Sequence, residues 1–264
     1  MNPFDISGRV IVVTGAAGRL GRQFTESLTK LGAKVAAIDV TERLHNMYHG
    51  REDILTITAG VTHRESLEAA LTQIQAEWGA PYGLVNNAAL DSPPDASASE
   101  NGPFETYPEE SIDKILDVNV KGVALCCQVF GGAMAEAGRG SIVNIGSIYG
   151  LVSPVQDIYE FRREGGEQFY KPVAYSISKS ALYNLTRYLA TYWGKQGVRV
   201  NTMTLAGVFD NQDPRFLEGY LARMPIGRMA NPDEYNGTVA YLMSDASVYM
   251  TGSNVLIDGG WTAW

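Results

Sequence analysis

The octet Thr14-Gly15-Ala16-Ala17-Gly18-Arg19-Leu20-Gly21 limits the folds open to this chain more than any other stretch. It follows Val10-Ile11-Val12-Val13, a β-branched run that reads as a short strand. It leads into a helical pattern over 20–31 that stops at Gly32, and 34–40 reads as the next strand. This is a βαβ unit with its glycines at the first turn. Glycine has no Cβ, so the backbone can approach a pyrophosphate at the helix N-terminus, where unpaired N–H groups favour negative charge. Asp39 falls near the end of the second strand, where a carboxylate can hold the ribose hydroxyls of an adenosine and repel a 2′-phosphate. NAD is therefore expected, with NADP the lesser alternative. Arg19 argues the other way, because a cation in the turn can pair with that phosphate.

The alternation continues to the C-terminus. Strands are expected over 54–59, 83–85, 141–145, 197–205 and 254–257, and helices over 64–78, 111–137, 173–193 and 232–244. The stretch 91–108 reads as a polar loop, 151–172 as irregular, and 210–228 as short helices over the active face. Strands alternating with helices predict a single-domain α/β Rossmann fold over 1–264, a doubly wound, mostly parallel seven-stranded sheet with helices on both faces. At 264 residues and 45% hydrophobic, the chain can bury such a core. A net charge of -8 without a basic block argues against nucleic acid. Cys126 and Cys127 lie side by side in an apolar run and read as buried small hydrophobes, and His45, His49 and His63 have no cysteine partners, so no metal site is expected. No signal peptide and no apolar run of membrane-spanning length are read, which makes a soluble, cytoplasmic protein the expectation.

Tyr175 and Lys179 stand four apart in the helix over 173–193, one turn from each other on one face. A free phenol, with a pKa of about 10, is a poor base. A nearby ammonium favours the phenolate, so the pair can move a proton to or from a substrate oxygen. Ser147 ends a strand at the edge where open parallel sheets bind ligands, and Asn119 lies inside the helix before it. Taken singly, Asn119 reads as a solvated helix residue and Ser147 as a cap.

Together, in order, the glycine octet, Asn86-Asn87-Ala88-Ala89, Asn119, Ser147, Tyr175-Ser176-Ile177-Ser178-Lys179 and Asp258-Gly259-Gly260 resemble the short-chain dehydrogenase/reductase family over nearly the whole chain. The resemblance implies that Tyr175 is the general acid/base, with Lys179 lowering its pKa and bonding the nicotinamide ribose. Ser147 would polarise the substrate oxygen, and Asn119 would distort its helix and hold a water in a relay to Lys179. Gly15, Gly18 and Gly21, with Arg19 and Leu20, would line the pyrophosphate, and Asn87 and Ala88 would stand beside the cofactor. Several positions depart from the common pattern. Gly18-Arg19 replaces a residue followed by Gly. Gly60-Val61 stands where an Asp commonly reaches the adenine, leaving Val61 for that contact. Leu205-Ala206-Gly207 replaces Pro-Gly in the loop shaping the nicotinamide pocket, where Gly207 and Val208 would contribute.

Ser147 and Tyr175 are also further apart than in typical members, so the insert at 151–172 must loop out beside them. Its Arg162, Arg163 and Tyr170, with Tyr149 and with Asn211 and Gln212 of a mobile loop over 207–228, are the expected substrate contacts, the arginines taking an anionic group. The alternative is an insert that is a surface loop or an oligomer contact. Lys171-Pro172-Val173-Ala174-Tyr175 and Gly207-Val208-Phe209-Asp210-Asn211-Gln212 look like bacterial members linked to flagellin-glycan and nonulosonic-acid sugars. The small-molecule substrate is thus expected to be polar or anionic, a sugar phosphate, nucleotide sugar or sugar acid. Two other readings stay open, a reductase of 3-oxoacyl thioesters or small ketones, and a non-catalytic NAD-binding regulatory protein. Family members form dimers or tetramers, and residues 261–264 are candidates to cross to a neighbour.

Overall fold

The seven apolar runs assemble into one sheet in which every pairing is parallel. The computed structural model describes residues 2–91 and 100–264. Residues 92–99 of the expected polar loop lie outside the described residues. The strands are β1 (Val10–Thr14), β2 (Lys34–Asp39), β3 (Ile54–Thr58), β4 (Gly83–Asn86), β5 (Gly140–Ser147), β6 (Val198–Leu205) and β7 (Asn254–Ile257). Their order is β3-β2-β1-β4-β5-β6-β7. The direction of winding reverses between β1 and β4, the crevice where open α/β sheets take ligands.

Alternate residues of a strand point to opposite faces, and here both faces are covered. Val10 and Val12 enter the core under the helices Arg64–Trp78 and Val173–Trp193, whereas Ile11 and Val13 enter the one under Arg19–Lys30 and Asn236–Met243. A doubly covered strand has no solvent side, which is why β1 is continuously apolar, whereas the edge strand β7 leaves Asn254 and Leu256 exposed. Cys126 and Cys127 are buried free thiols in the first core, and burial pushes both above the usual thiol range.

The helical segment Glu109–Glu136 is long and apolar enough, by length and composition, to cross a membrane, contrary to the sequence expectation. More than half of that apolar window is buried within the fold. Two π turns interrupt it, Asp117–Gly122 and Cys127–Gly131, and Asn119 sits in the first, so the expected distortion is present. Buried polar groups then lock the sheet to the next long helix. Asn86 Nδ2 donates to Asn144 Oδ1 at 2.8 Å, and Asn144 Nδ2 donates to Thr186 Oγ1 at 2.9 Å. Thr186 Oγ1 shares a hydrogen with Thr202 Oγ1 at 2.7 Å.

Two expected segments are revised. The stretch 151–172 is not irregular: it carries a 3-10 turn at Gln156–Tyr159 and a short helix at Glu160–Glu164, because Ile158, Tyr159 and Phe169 bury into a third apolar cluster with Tyr220 and Trp261. The helix expected from 232 begins at Asn236, since Glu234 instead accepts from the Asn231 amide and the Arg228 guanidinium. The C-terminal residues pack on their own chain, with Trp261 stacked on Tyr220 at 4.3 Å and Trp264 Nε1 donating to the Arg223 carbonyl.

A Cβ on Gly21 would strike the Gly15 carbonyl oxygen and lie 2.8 Å from the Ala16 Cα, all backbone. Gly21→Ala is therefore expected to destabilise by about 1–3 kcal/mol, the usual cost of overpacking. Gly132→Ala, whose Cβ would meet open space on a helix, should leave the melting temperature unchanged or raised. Thermal unfolding of the two variants checks this.

Candidate active site

A cavity of about 900 Å³ opens at the carboxyl ends of the strands, within the size range of small-molecule sites. Ser147 is the last residue of β5 and caps the short helix Ile148–Leu151, its hydroxyl accepting from the Tyr149 amide at 3.2 Å. Pro172 precedes the helix Val173–Trp193, so Tyr175 lies in its first turn and Lys179 one turn on. Ser147, Tyr175 and Lys179 all line the cavity. Lys179 Nζ donates to the Ile145 carbonyl at 2.8 Å and stands 5.8 Å from the Tyr175 ring centroid.

Burial governs the charges here. It pushes Lys179 down to about 8, partly opposed by the Asp91 carboxylate. It holds Tyr175 well above the usual phenol range, and Asp91 adds to that rise while a hydrogen bond with Ser147 opposes it. Desolvation thus governs Tyr175 among the protein's own groups, and Lys179 is not one of the main influences on it. Asn119 meets neither of them. Its Oδ1 accepts from the Leu90 amide at 2.7 Å, and its Nδ2 donates to the Leu90 carbonyl at 2.8 Å and to Ser178 Oγ at 3.0 Å. Asn119 therefore fixes the chain that delivers Asp91 and ties it to the Tyr175 helix.

The glycine turn is built from backbone contacts. Gly15 has φ of +65°, and a Cβ there would lie 2.8 Å from the Ala88 Cα. The Asn87 and Ala88 amides both donate to Thr14 Oγ1 at 3.1 Å, and Asn87 Nδ2 donates to the Thr14 and Gly15 carbonyls. Asp39 Oδ2 accepts from the Ala17 amide at 3.0 Å, which holds the carboxylate against the turn. Leu20 lines the cavity, while Gly18 closes the turn through its amide on the Gly15 carbonyl. Arg19 does not point toward Asp39. It pairs with Asp210 and donates to the Phe209 carbonyl, crossing the cleft to the loop after β6. Val61 is buried against Gly122, Gly207 donates its amide to the Tyr220 hydroxyl at 2.8 Å, and Val208 bridges to Ala230.

On the substrate side the residues divide. Tyr149, Arg162, Asn211 and Gln212 line the cavity. Arg162 pairs with Glu167 and lies 3.9 Å over the Phe169 ring. Arg163 and Tyr170 turn into the insert itself. Arg163 donates to the Gln156 and Phe169 carbonyls and pairs with Glu160, with Tyr170 under its guanidinium at 5.0 Å. Gln212 is engaged at both ends by its own loop, accepting from the Asp210 amide and donating to the Val208 carbonyl, each at 2.8 Å. Arg163 thus folds the insert through the Gln156 and Phe169 carbonyls, whereas Arg162 pairs with Glu167 while still lining the cavity.

Residues 15–262 match the family described as enoyl-(acyl carrier protein) reductase. The chain belongs to the short-chain dehydrogenase/reductase family. D-threitol dehydrogenase of Mycolicibacterium smegmatis is 31% identical over 98% of this chain and 95% of its own. Galactitol 2-dehydrogenase of Rhizobium johnstonii is 31% identical over 99% and 98%. A short-chain dehydrogenase crystal structure from Leptospira borgpetersenii, with bound NAD+, superposes with a TM-score of 0.86 at 30% identity, over 98% of this chain and 94% of that one.

This short-chain dehydrogenase/reductase also carries a pair that the sequence reading misses. Lys171 Nζ bonds Asp91 Oδ1 at 2.7 Å, and the ammonium lies 5.2 Å from the Tyr175 ring centroid. Lys171 is read from the sequence only as part of the insert and of a subgroup mark, and no local spacing links it to Asp91. For Arg163, removal of its carbonyl bonds is expected to loosen the insert. Arg163→Ala should speed proteolytic cleavage within 151–172 and cost about 1–3 kcal/mol by thermal unfolding, as for other buried hydrogen-bond losses.

Proposed function

We propose that this chain is an NAD-dependent dehydrogenase of a secondary alcohol on a polyol or related sugar derivative. The observation that carries the reading is the meeting of Ser147, Tyr175 and Lys179 in one cavity beside the glycine turn. The turn fits a dinucleotide, since side chains at Gly15 or Gly21 would fill the close backbone approach that a pyrophosphate needs. Gly15, Gly18, Leu20, Gly21, Asn87 and Ala88 would hold the phosphates and nicotinamide side, and Asp39 the adenosine ribose. A nicotinamide dinucleotide bound there supplies the hydride acceptor. Tyr175 takes the proton of the substrate hydroxyl as the carbon gives up its hydride, Ser147 orients the oxygen, and Lys179 steadies the phenolate. Asn119 is a positioning residue for Asp91 and the Tyr175 helix. Asp39 supports NAD, as does the engagement of Arg19 with Asp210, while Arg43 is the cation that remains at the turn, donating to the Ala17 carbonyl.

Relatives named for threitol and galactitol support a neutral polyol. The pairing of Arg162 and Arg163 with glutamates supports it too, against a sugar phosphate or acid. A charged pair lining the cavity, Lys171 and Asp91, opposes the reading of an acyl-thioester reductase with a long apolar chain. Exposed Ile177, Tyr188 and Tyr192 on the Val173–Trp193 helix support self-association.

A turnover screen of NAD and NADP against threitol, galactitol, gluconate and simple ketones tests the reading, and faster turnover with NADP would overturn the role of Asp39. Asp39→Ala is expected to lower the NAD-over-NADP preference by about 10- to 100-fold, the range for hydrogen bonds to a charged group. Tyr175→Phe should lower kcat by about 10²–10⁴ with nucleotide binding retained, measured by NADH fluorescence titration. Burial raises the Tyr175 pKa, so the proton-accepting phenolate grows as pH rises. The kcat/KM for oxidation should therefore climb toward alkaline pH, and that for reduction should fall.

A further inference from the structure

The insert delivers a second ammonium to Tyr175, and the proton-transfer chemistry does not use it. Gln156 clamps Lys171 from both sides, Oε1 accepting from its amide at 2.9 Å and Nε2 donating to its carbonyl at 3.3 Å. The Lys171 side chain is 11% exposed, lines the cavity, and is neutralised by Asp91. An ammonium has three N–H donors, so one bond to Asp91 leaves donors beside the Tyr175 ring. An ion pair with no net charge suits a neutral hydroxyl better than an anion.

A second donor lies on the same cavity. Tyr149 is 8% exposed, and its hydroxyl makes no full hydrogen bond, only a weak one with the Tyr159 phenol. The Tyr159 phenol is close enough to raise it electrostatically, as are Tyr220 and Asp91, and all three line the cavity with it. A buried hydroxyl so weakly paired is costly, and a ligand hydroxyl would satisfy it. Tyr149 is held by the turn that also fixes Ser147, through its amide on the Ser147 hydroxyl. Its ring and the reacting oxygen are therefore set by one element.

Resting on the dehydrogenase reading above, we propose that Lys171, neutralised by Asp91, and the Tyr149 hydroxyl form a subsite for a second hydroxyl, on the carbon next to the one oxidised. The substrate class is then a neutral vicinal diol. Only the polar ends that the insert and the short helix bring to Tyr175 are needed, not the arginines.

The test compares kcat/KM for 2,3-butanediol and 2-butanol, alcohols of the same carbon skeleton, using the full-length protein with NAD. The wild type is expected to favour the diol at least about tenfold, since sites built to bond a hydroxyl reject analogues lacking it. Tyr149→Phe and Lys171→Met should each lower the diol-to-monool ratio by about three- to tenfold. Lys171→Met keeps the aliphatic stem, and Tyr149→Phe keeps the ring, so both preserve packing. A purely structural role would lower both substrates alike and leave the ratio unmoved, which overturns the proposal. A wild type that oxidises both alcohols equally also overturns it while sparing the dehydrogenase reading. A wild type that oxidises neither, nor any polyol, defeats both.

Discussion

Asn144 lies at the middle of the sheet with no exposure to water, and the position of Tyr175 depends on how its amide is satisfied. A buried amide without partners would cost several kcal/mol, so the chain must supply them. It does so with Asn86 on the next strand and Thr186 on the Val173–Trp193 helix. Thr186 is passed on to Thr202 of β6. Three strands and a helix are thereby pinned at one depth. Apolar packing alone would allow that helix to slide, whereas a chain of directional bonds does not. The first turn of the helix, which carries Tyr175, inherits the registration.

Desolvation then works on the two ionisable groups in opposite senses. Burial disfavours the charge on Lys179 and the charge on Tyr175 alike, so the ammonium becomes easier to deprotonate and the phenol harder. Asp91 is the carboxylate that acts on both. It favours the charged lysine and disfavours the charged tyrosine. Asn119 sets where Asp91 begins by gripping the Leu90 backbone on both its donor and acceptor. The π turn that carries Asn119 is a deformation that makes this grip possible.

Relations that are local in the chain are legible in the sequence, and relations made by folding are not. The glycine octet, the acid closing β2, and Tyr175 and Lys179 on one helical face depend only on spacing. Helix bounds at 64–78 and 173–193 and the strand at 254–257 are recovered for the same reason. Asp91 and Lys171 are 80 residues apart, and nothing in either neighbourhood points to the other. Arg163 meets the carbonyls of its own loop while Arg162 lines the cavity, a division that residue type cannot reveal. Arg19 misleads similarly, since its partner Asp210 lies beyond β6. Tyr149 is a substrate candidate from its place after Ser147, but its weakly paired hydroxyl is visible only in three dimensions.

The clasp of Gln156 on the Lys171 backbone has a bearing on how such chains diversify. It closes the insert on itself near both ends, so the residues between are a loop whose closure does not burden the sheet. A segment anchored in this way can be lengthened, shortened or exchanged as a cassette while the strands beneath keep their register. Selectivity can then be altered apart from the dinucleotide site and the proton chemistry, which belong to the less forgiving frame.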